Sequence, residues 1–173
     1  MSEATAPIRI DFVSDVSCPW CAIGLQALEQ AIARVGGDAT VELHFQPFEL
    51  NPQMPAEGED AIGHLVAKYG ISETQAKENG EAIRSRGAEL GFTFDMDRRR
   101  HVWNTFDAHR LLHWAELESL EQQRVLKHAL LRAYFTDEGI LGPAMAAGPA
   151  VWGVSPDTPG TGLGAIALAT KHV

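Results

Sequence analysis

The sequence predicts an α/β chain in which a βαβ unit leads into a block of helices. Three observations carry that expectation. Residues 8–13 and 40–48 have the apolar patterning of strands, with an amphipathic helical stretch at 22–35 between them. From residue 62 to 134 the apolar period is helical throughout. The only two cysteines among the 173 residues, Cys18 and Cys21, stand where the first strand gives way to the first helix.

The first strand is Ile8-Arg9-Ile10-Asp11-Phe12-Val13. The helix from Ala22 to Val35 sets Leu25, Leu28, Ile32 and Val35 on one apolar stripe, and Gly36-Gly37 ends it. Residues 40–48 send Val41, Leu43 and Phe45 to one face and Glu42, His44 and Gln46 to the other, the period of a half-buried strand. A helix of that length between two strands makes a parallel crossover. Pro47, Pro52 and Pro55 then stop regular structure as far as Gly58. Ile62, Leu65, Val66 and Tyr69 mark a short amphipathic helix closed by Gly70. Ser72-Glu73-Thr74-Gln75 is a capping box, and the helix it opens runs to Leu90 with Ala76, Ile83 and Leu90 inward. Two further helices follow at 104–116 and 120–134, the second with a stripe of Leu126, Ala129, Leu130, Ala133 and Tyr134. Helices this short need one another and pack as a bundle. Arg98-Arg99-Arg100-His101 reads as a solvated turn ahead of a helix, and Trp103 and Trp114 as core.

After Ile140 the character changes. Residues 141–173 hold two charged side chains, Asp157 and Lys171, and are dominated by Gly, Ala and Pro, a loop composition. The expected division is 1–55, a βαβ unit with the cysteine pair, 56–138, a helical domain, and 139–173, an atypical tail. With no strand in that tail, one edge of residues 8–13 stays open and invites pairing into a homodimer.

Composition excludes several partners. A net charge of −9 argues against nucleic acid and against anionic membrane surfaces, and no apolar run approaches the ~18 residues a membrane span needs. Met1 to Pro7 holds neither an apolar run nor a basic segment, which places the expected location in the cytoplasm.

The chemistry is concentrated in Cys18-Pro19-Trp20-Cys21. A cysteine at the first turn of a helix faces unpaired N–H groups and the positive end of the helix dipole, so its pKa should fall below the ~8.5 of a free thiol. Cys21, one turn deeper and less exposed, is close enough to form a disulfide and should react more slowly. Pro19 suits the first turn, where its missing N–H costs nothing. A structural disulfide is disfavoured by the reducing cytosol. A zinc site built from Cys18, Cys21, His109 and His113 is disfavoured because the Cys and His pairs stand much farther apart than the usual ~12–15 residues. His109 and His113 lie on a helix apolar on more than one face, where packed histidines predominate over catalytic ones. A C-x-x-C beside a βαβ unit is instead a thioredoxin-like redox signal. Thiol–disulfide exchange at such a pair needs no metal and no organic cofactor.

Three stretches occur in the order of a known family. They are residues 11–21 (Asp11-Phe12-Val13-Ser14-Asp15-Val16-Ser17-Cys18-Pro19-Trp20-Cys21) with Ile23-Gly24, then Phe48-Glu49-Leu50-Asn51-Pro52, then Asn104-Thr105 with Ala108-His109-Arg110-Leu111. Over about residues 8–140 the chain resembles the DsbA family of thioredoxin-fold oxidoreductases, specifically its FrnE-type subfamily. The resemblance implies a thioredoxin-like βαβ unit with an inserted helical domain, the C-terminal half of the fold being missing or replaced. Gly153-Val154-Ser155-Pro156 stands nearest the family's Gly-Val-Pro loop, with an extra Ser and no strands after it. It further implies Cys18 and Cys21 as the catalytic pair, Pro19 and Trp20 as tuners of its potential, and a disulfide-bearing protein or small thiol as partner. The related 2-hydroxychromene-2-carboxylate isomerases and kappa-class glutathione transferases carry serine in place of the first cysteine. Cys18 therefore favours dithiol chemistry over glutathione-dependent isomerisation or transfer, for which Asn51 and Asn104 are the residues to test. A truncated, non-catalytic fragment is the remaining alternative.

Overall fold

A computed structural model describes residues 6–137. The βαβ unit is β1 (Ile8–Ser14), α1 (Pro19–Val35), one 3-10 turn at Gly36–Asp38 and β2 (Val41–Pro47). The helical part holds β3 (Glu59–Asp60), α2 (Ala61–Tyr69), α3 (Glu73–Glu89), β4 (His101–Val102), α4 (Phe106–Glu118) and α5 (Leu120–Phe135). The architecture is an α/β thioredoxin-like βαβ core with an inserted helical subdomain.

β1 and β2 run parallel, in register from Ile8↔Val41 to Ser14↔Pro47. Phe12 and Phe45 are partners in that register and share a face, their rings meeting edge to face at 6.1 Å. Among the described residues β1 pairs with β2 alone. The outer edge of β2 is closed by a side chain. Gln123 of α5 accepts from the Phe45 N–H at 3.1 Å and donates to the Phe45 carbonyl at 3.0 Å. A side-chain amide offers the same donor and acceptor as a neighbouring strand, so this edge of Phe45 is satisfied without one.

One cluster of buried apolar side chains, including Leu25, Phe45, Ile83, Phe94, Leu112 and Phe135, runs from the βαβ unit into the helices. Polar ties reinforce it: Gln30 donates to the Leu90 carbonyl at 3.0 Å, and Arg124 and His128 of α5 meet Glu29 of α1 at 2.7 and 2.9 Å. Gly87 of α3 is needed for close packing, because a Cβ there would stand 2.4 Å from the Phe94 ring. These ties hold α5 and the end of α3 against α1.

Local signals in the sequence hold. Ser72 and Gln75 form both bonds of the capping box, and Gly70 closes α2 in the left-handed region at φ 64°. Other expectations need correction. The apolar stripe on α1 is only partly covered: Leu25 is buried beside Ala22 and Ile23, whereas Val35 is exposed. Tyr69, expected inward, is 54% exposed. The basic segment is not simply a solvated turn. Arg99 lies over the rings of Tyr134 and Phe135 at 5.4 and 5.5 Å, and His101 and Val102 pair with Asp60 and Glu59. Two-residue strands carry no alternation to detect, but this ladder holds residues 99–102 against the start of α2. The readings of residues 139–173, namely the irregular tail, the replaced C-terminal half and the Gly153–Pro156 loop, lie outside the described residues.

Candidate active site

Cys18 is the N-cap of α1, extended at φ −94° and ψ 113°, and Pro19 follows at the first helical position. Its carbonyl accepts from the N–H groups of Cys21 and Ala22 at 3.1 and 3.3 Å, so the helix starts on this residue. The Cys18 pKa is lowered from 9.0 to about 6. The Cys21 thiol contributes most by donating a hydrogen bond to the Cys18 sulfur; the backbone N–H groups of Cys21 and Trp20 add to it, while burial and the Asp15 charge work against it. Both N–H groups belong to the first turn of α1, at the positive end of the helix dipole. Cys21 is held well above the ordinary thiol range, because its proton is engaged with Cys18 and because it is partly buried. Both thiols are free and both are half-buried. The asymmetry between them comes from hydrogen bonding, so the expectation that Cys21 is the less exposed is corrected.

Around the pair the structure gathers charges that the sequence reading did not assemble. Asp15 is 1% exposed, and its carboxylate accepts from the N–H of Leu50 at 2.6 Å and of Ser17 at 3.2 Å. His109 Nε2 stands 3.4 Å from the same carboxylate. Burial pushes the Asp15 pKa up, but His109 and the two N–H groups outweigh it and hold the carboxyl below its usual range. Lys127 of α5 is also 1% exposed, its Nζ 5.8 Å from the centre of the Phe45 ring. Burial drives its pKa from 10.5 down to about 8, opposed by the charges of Cys21, Asp15 and Cys18. Lys127 and His109 line a cavity of about 20 Å³, room for one water.

In front of Cys18 lies a groove of about 910 Å³ between the start of α1 and helices α2 and α3. Cys18, Pro19 and Trp20 are part of its lining, and Trp20 is 58% exposed. Asn51 lines the groove, its Oδ1 receiving the Lys68 ammonium. Asn104 plays the plainer part of a cap and tie, accepting from the Phe106 N–H and donating to the Met54 carbonyl, each at 2.9 Å. The four residues of the zinc alternative do not converge: His109 meets Asp15, and the exposed His113 approaches Glu116 at 3.8 Å. Lys127 carried one sequence signal. It stands four residues after the buried Gln123 and four before Leu131, on a stripe that is otherwise inward-facing.

The DSBA-like thioredoxin domain family matches residues 9–146. A solved structure, a probable DsbA oxidoreductase from Streptomyces coelicolor, superposes with a TM-score of 0.72 at 28% identity. That match covers 92% of this chain and 72% of the other. No curated protein matches. The family match overturns the cytoplasmic expectation, since oxidoreductases of this family are characteristically periplasmic or secreted. With it goes the compartment argument against a structural disulfide. The case against that reading now rests on the asymmetric ionisation of the two sulfurs. The fold, the closely spaced cysteine pair at the first turn of α1 and this match over most of its length agree, and the chain belongs to the DSBA-like thioredoxin domain family.

Proposed function

We propose that the chain is a thiol–disulfide oxidoreductase of the FrnE type, working through Cys18 and Cys21 on disulfide-bearing partners. In the reducing direction the Cys18 thiolate attacks one sulfur of a substrate disulfide. A mixed disulfide forms, and the other substrate sulfur leaves as a thiolate. Cys21 then loses its proton to solvent and attacks the Cys18 sulfur. The Cys18–Cys21 disulfide forms, the second substrate thiolate departs, and two electrons have passed to the substrate. An external dithiol restores the pair, and the oxidising direction is the reverse sequence.

The observation that carries this reading is the division of labour between the sulfurs. Cys18 is easily ionised and opens on the groove, whereas Cys21 keeps its proton until Cys18 is consumed. Once the Cys18 charge is lost to the mixed disulfide, Cys21 no longer sits beside an anion, and the Lys127 ammonium favours its thiolate. Pro19 and Trp20 act on the potential by holding the first turn of α1, from which the N–H groups of Trp20 and Cys21 reach Cys18.

The test is a pair of serine substitutions in an insulin-reduction assay with product trapping. Cys21→Ser should accumulate a mixed disulfide, and Cys18→Ser should abolish both turnover and trapping. Full reductase activity in Cys18→Ser would contradict the mechanism.

A further inference from the structure

The groove in front of Cys18 has a charge unlike that of the chain. Its described lining carries five Lys and Arg side chains against three carboxylates, a balance of +2 (five minus three) in a chain of net charge −9. Two of the three carboxylates are paired with a cation, and the third caps a helix. Asp60 accepts from the Gly63 N–H at 2.7 Å as the cap of α2, while Glu81 and Asp97 meet Arg84 at 3.0 and 3.5 Å. Lys68, Lys77, Arg99 and Arg100 have no carboxylate partner among the described residues. Lys68 donates to the Leu50 carbonyl at 3.0 Å and to Asn51, neutral groups that position it without cancelling its charge. Arg99 is held by two aromatic faces, and its buried Nε has no hydrogen-bond partner.

These cations come from three separate elements: α2, α3 and the segment pinned by β3 and β4. Between them the floor is apolar, with Ile62, Leu65, Ala76, Ile83 and Met96, and Trp20 and Tyr69 add exposed aromatic surface. A volume of about 910 Å³ lies near the upper end for small-ligand pockets. Dispersed cations around a long apolar floor suit an extended chain better than one compact anion.

We propose that the groove selects disulfides embedded in acidic, apolar polypeptide segments, with aliphatic side chains on its floor and carboxylates at Lys68, Lys77, Arg99 and Arg100. This deepens the exchange reading and rests on it. The segment lies in the groove so that its disulfide reaches Cys18, which is part of the same lining. A cleft of one sign raises the local concentration of oppositely charged partners, and with it the rate of encounter.

The experiment uses two synthetic peptides, each with one disulfide between aliphatic flanks, identical except that one carries Glu where the other carries Gln. Oxidised glutathione is the small anionic comparison. Single-turnover reduction by the dithiol form of the full chain is followed in about 0.1 M salt, where screening at ~10 Å confines the effect to the groove. The Glu peptide should react roughly tenfold faster than the Gln peptide, and faster than glutathione. The ratio of the two peptide rates should collapse in ~1 M salt. In the double variant Lys77→Glu, Arg100→Glu it should fall to one or below, and as a ratio it is insensitive to a general loss of folded protein. Equal rates for the two peptides in the parent chain would overturn the inference while leaving the exchange reading standing. So would glutathione reacting faster than the Glu peptide, which would assign the cations to a small anionic thiol. Failure to reduce any of the three would overturn the exchange reading, and this inference with it.

Discussion

Replacing Lys127 with methionine tests the electrostatics behind the cysteine pair. The ammonium is 1% exposed, and its pKa falls from 10.5 to about 8 because burial penalises its charge more than nearby anions favour it. At ~1.36 kcal/mol per pH unit, that fall corresponds to about 3 kcal/mol against holding Lys127 charged in the folded chain. The sign follows from proton binding. Between pH 8 and 10.5 the unfolded chain keeps the lysine proton and the folded chain releases it, so stability rises with pH across that window. Lys127→Met has nearly the same shape and no charge, so it should be more stable than the parent at pH 7 by up to ~3 kcal/mol. The difference should shrink to near zero by about pH 10.5. Urea unfolding of both proteins from pH 7 to 11, with the cysteines reduced, reads this directly, because the thiol titrations common to both cancel to first order in the difference. Functionally the substitution removes the cation that favours the Cys21 thiolate, so the resolving step should slow and the mixed disulfide should live longer. A variant less stable than the parent at pH 7, or a difference flat across the whole pH range, would refute the reasoning.

Gln123→Ala should cost about 2–5 kcal/mol in urea unfolding, because the Phe45 N–H and carbonyl both lose their partner in a buried setting; a loss under about 1 kcal/mol would show that water serves that edge equally well. Asp15 has a lowered pKa in the fold, so its contribution to stability is present above the ordinary carboxylate pKa and is lost as pH falls through the folded value. Asp15→Asn should therefore flatten the acid limb of the stability profile, and, by removing a negative charge near Cys18, move the Cys18 pKa further down in thiol-alkylation rates. Gly87→Ala should lower the thermal midpoint by an amount equivalent to ~1–3 kcal/mol, since its Cβ would stand 2.4 Å from the Phe94 ring; an unchanged midpoint would mean that the ring moves aside freely.

What the sequence made legible was local in chain distance. Cys18 at the start of α1, the Ser72–Gln75 capping box and the Gly70 stop each depend on residues within one helical turn, so spacing alone reveals them. The parallel pairing of β1 and β2 followed from the length of the helix between them. The electrostatic surroundings of the pair were not legible, because they are assembled across long separations. Lys127 lies 106 residues after Cys21 and enters the site only because α5 packs on β2, where Gln123 docks against Phe45. A lysine on an amphipathic helix reads by default as solvent-facing. Arg99 and Arg100 read as a solvated turn because nothing in a two-residue strand announces the ladder that fixes them at the groove. Spacing along α1 suggested that depth would set the cysteines apart, whereas in the structure both are half-buried and the hydrogen bond from the Cys21 thiol to Cys18 shifts their pKa values in opposite directions.

The central claim is that, in the reduced protein, Cys18 alone is the nucleophile toward substrate, made so by the first turn of α1 and the Cys21 thiol. The most direct test is the alkylation rate of each sulfur in the reduced protein as a function of pH, with the modified cysteine identified by peptide mass. The account predicts that Cys18 reacts with a midpoint at about pH 6, and that Cys21 stays unreactive through the neutral range. Cys21→Ala should move the Cys18 midpoint upward by removing the largest contribution to its low value. Equal rates at both sulfurs, with a common midpoint near the ~8.5 of a free thiol, would contradict it.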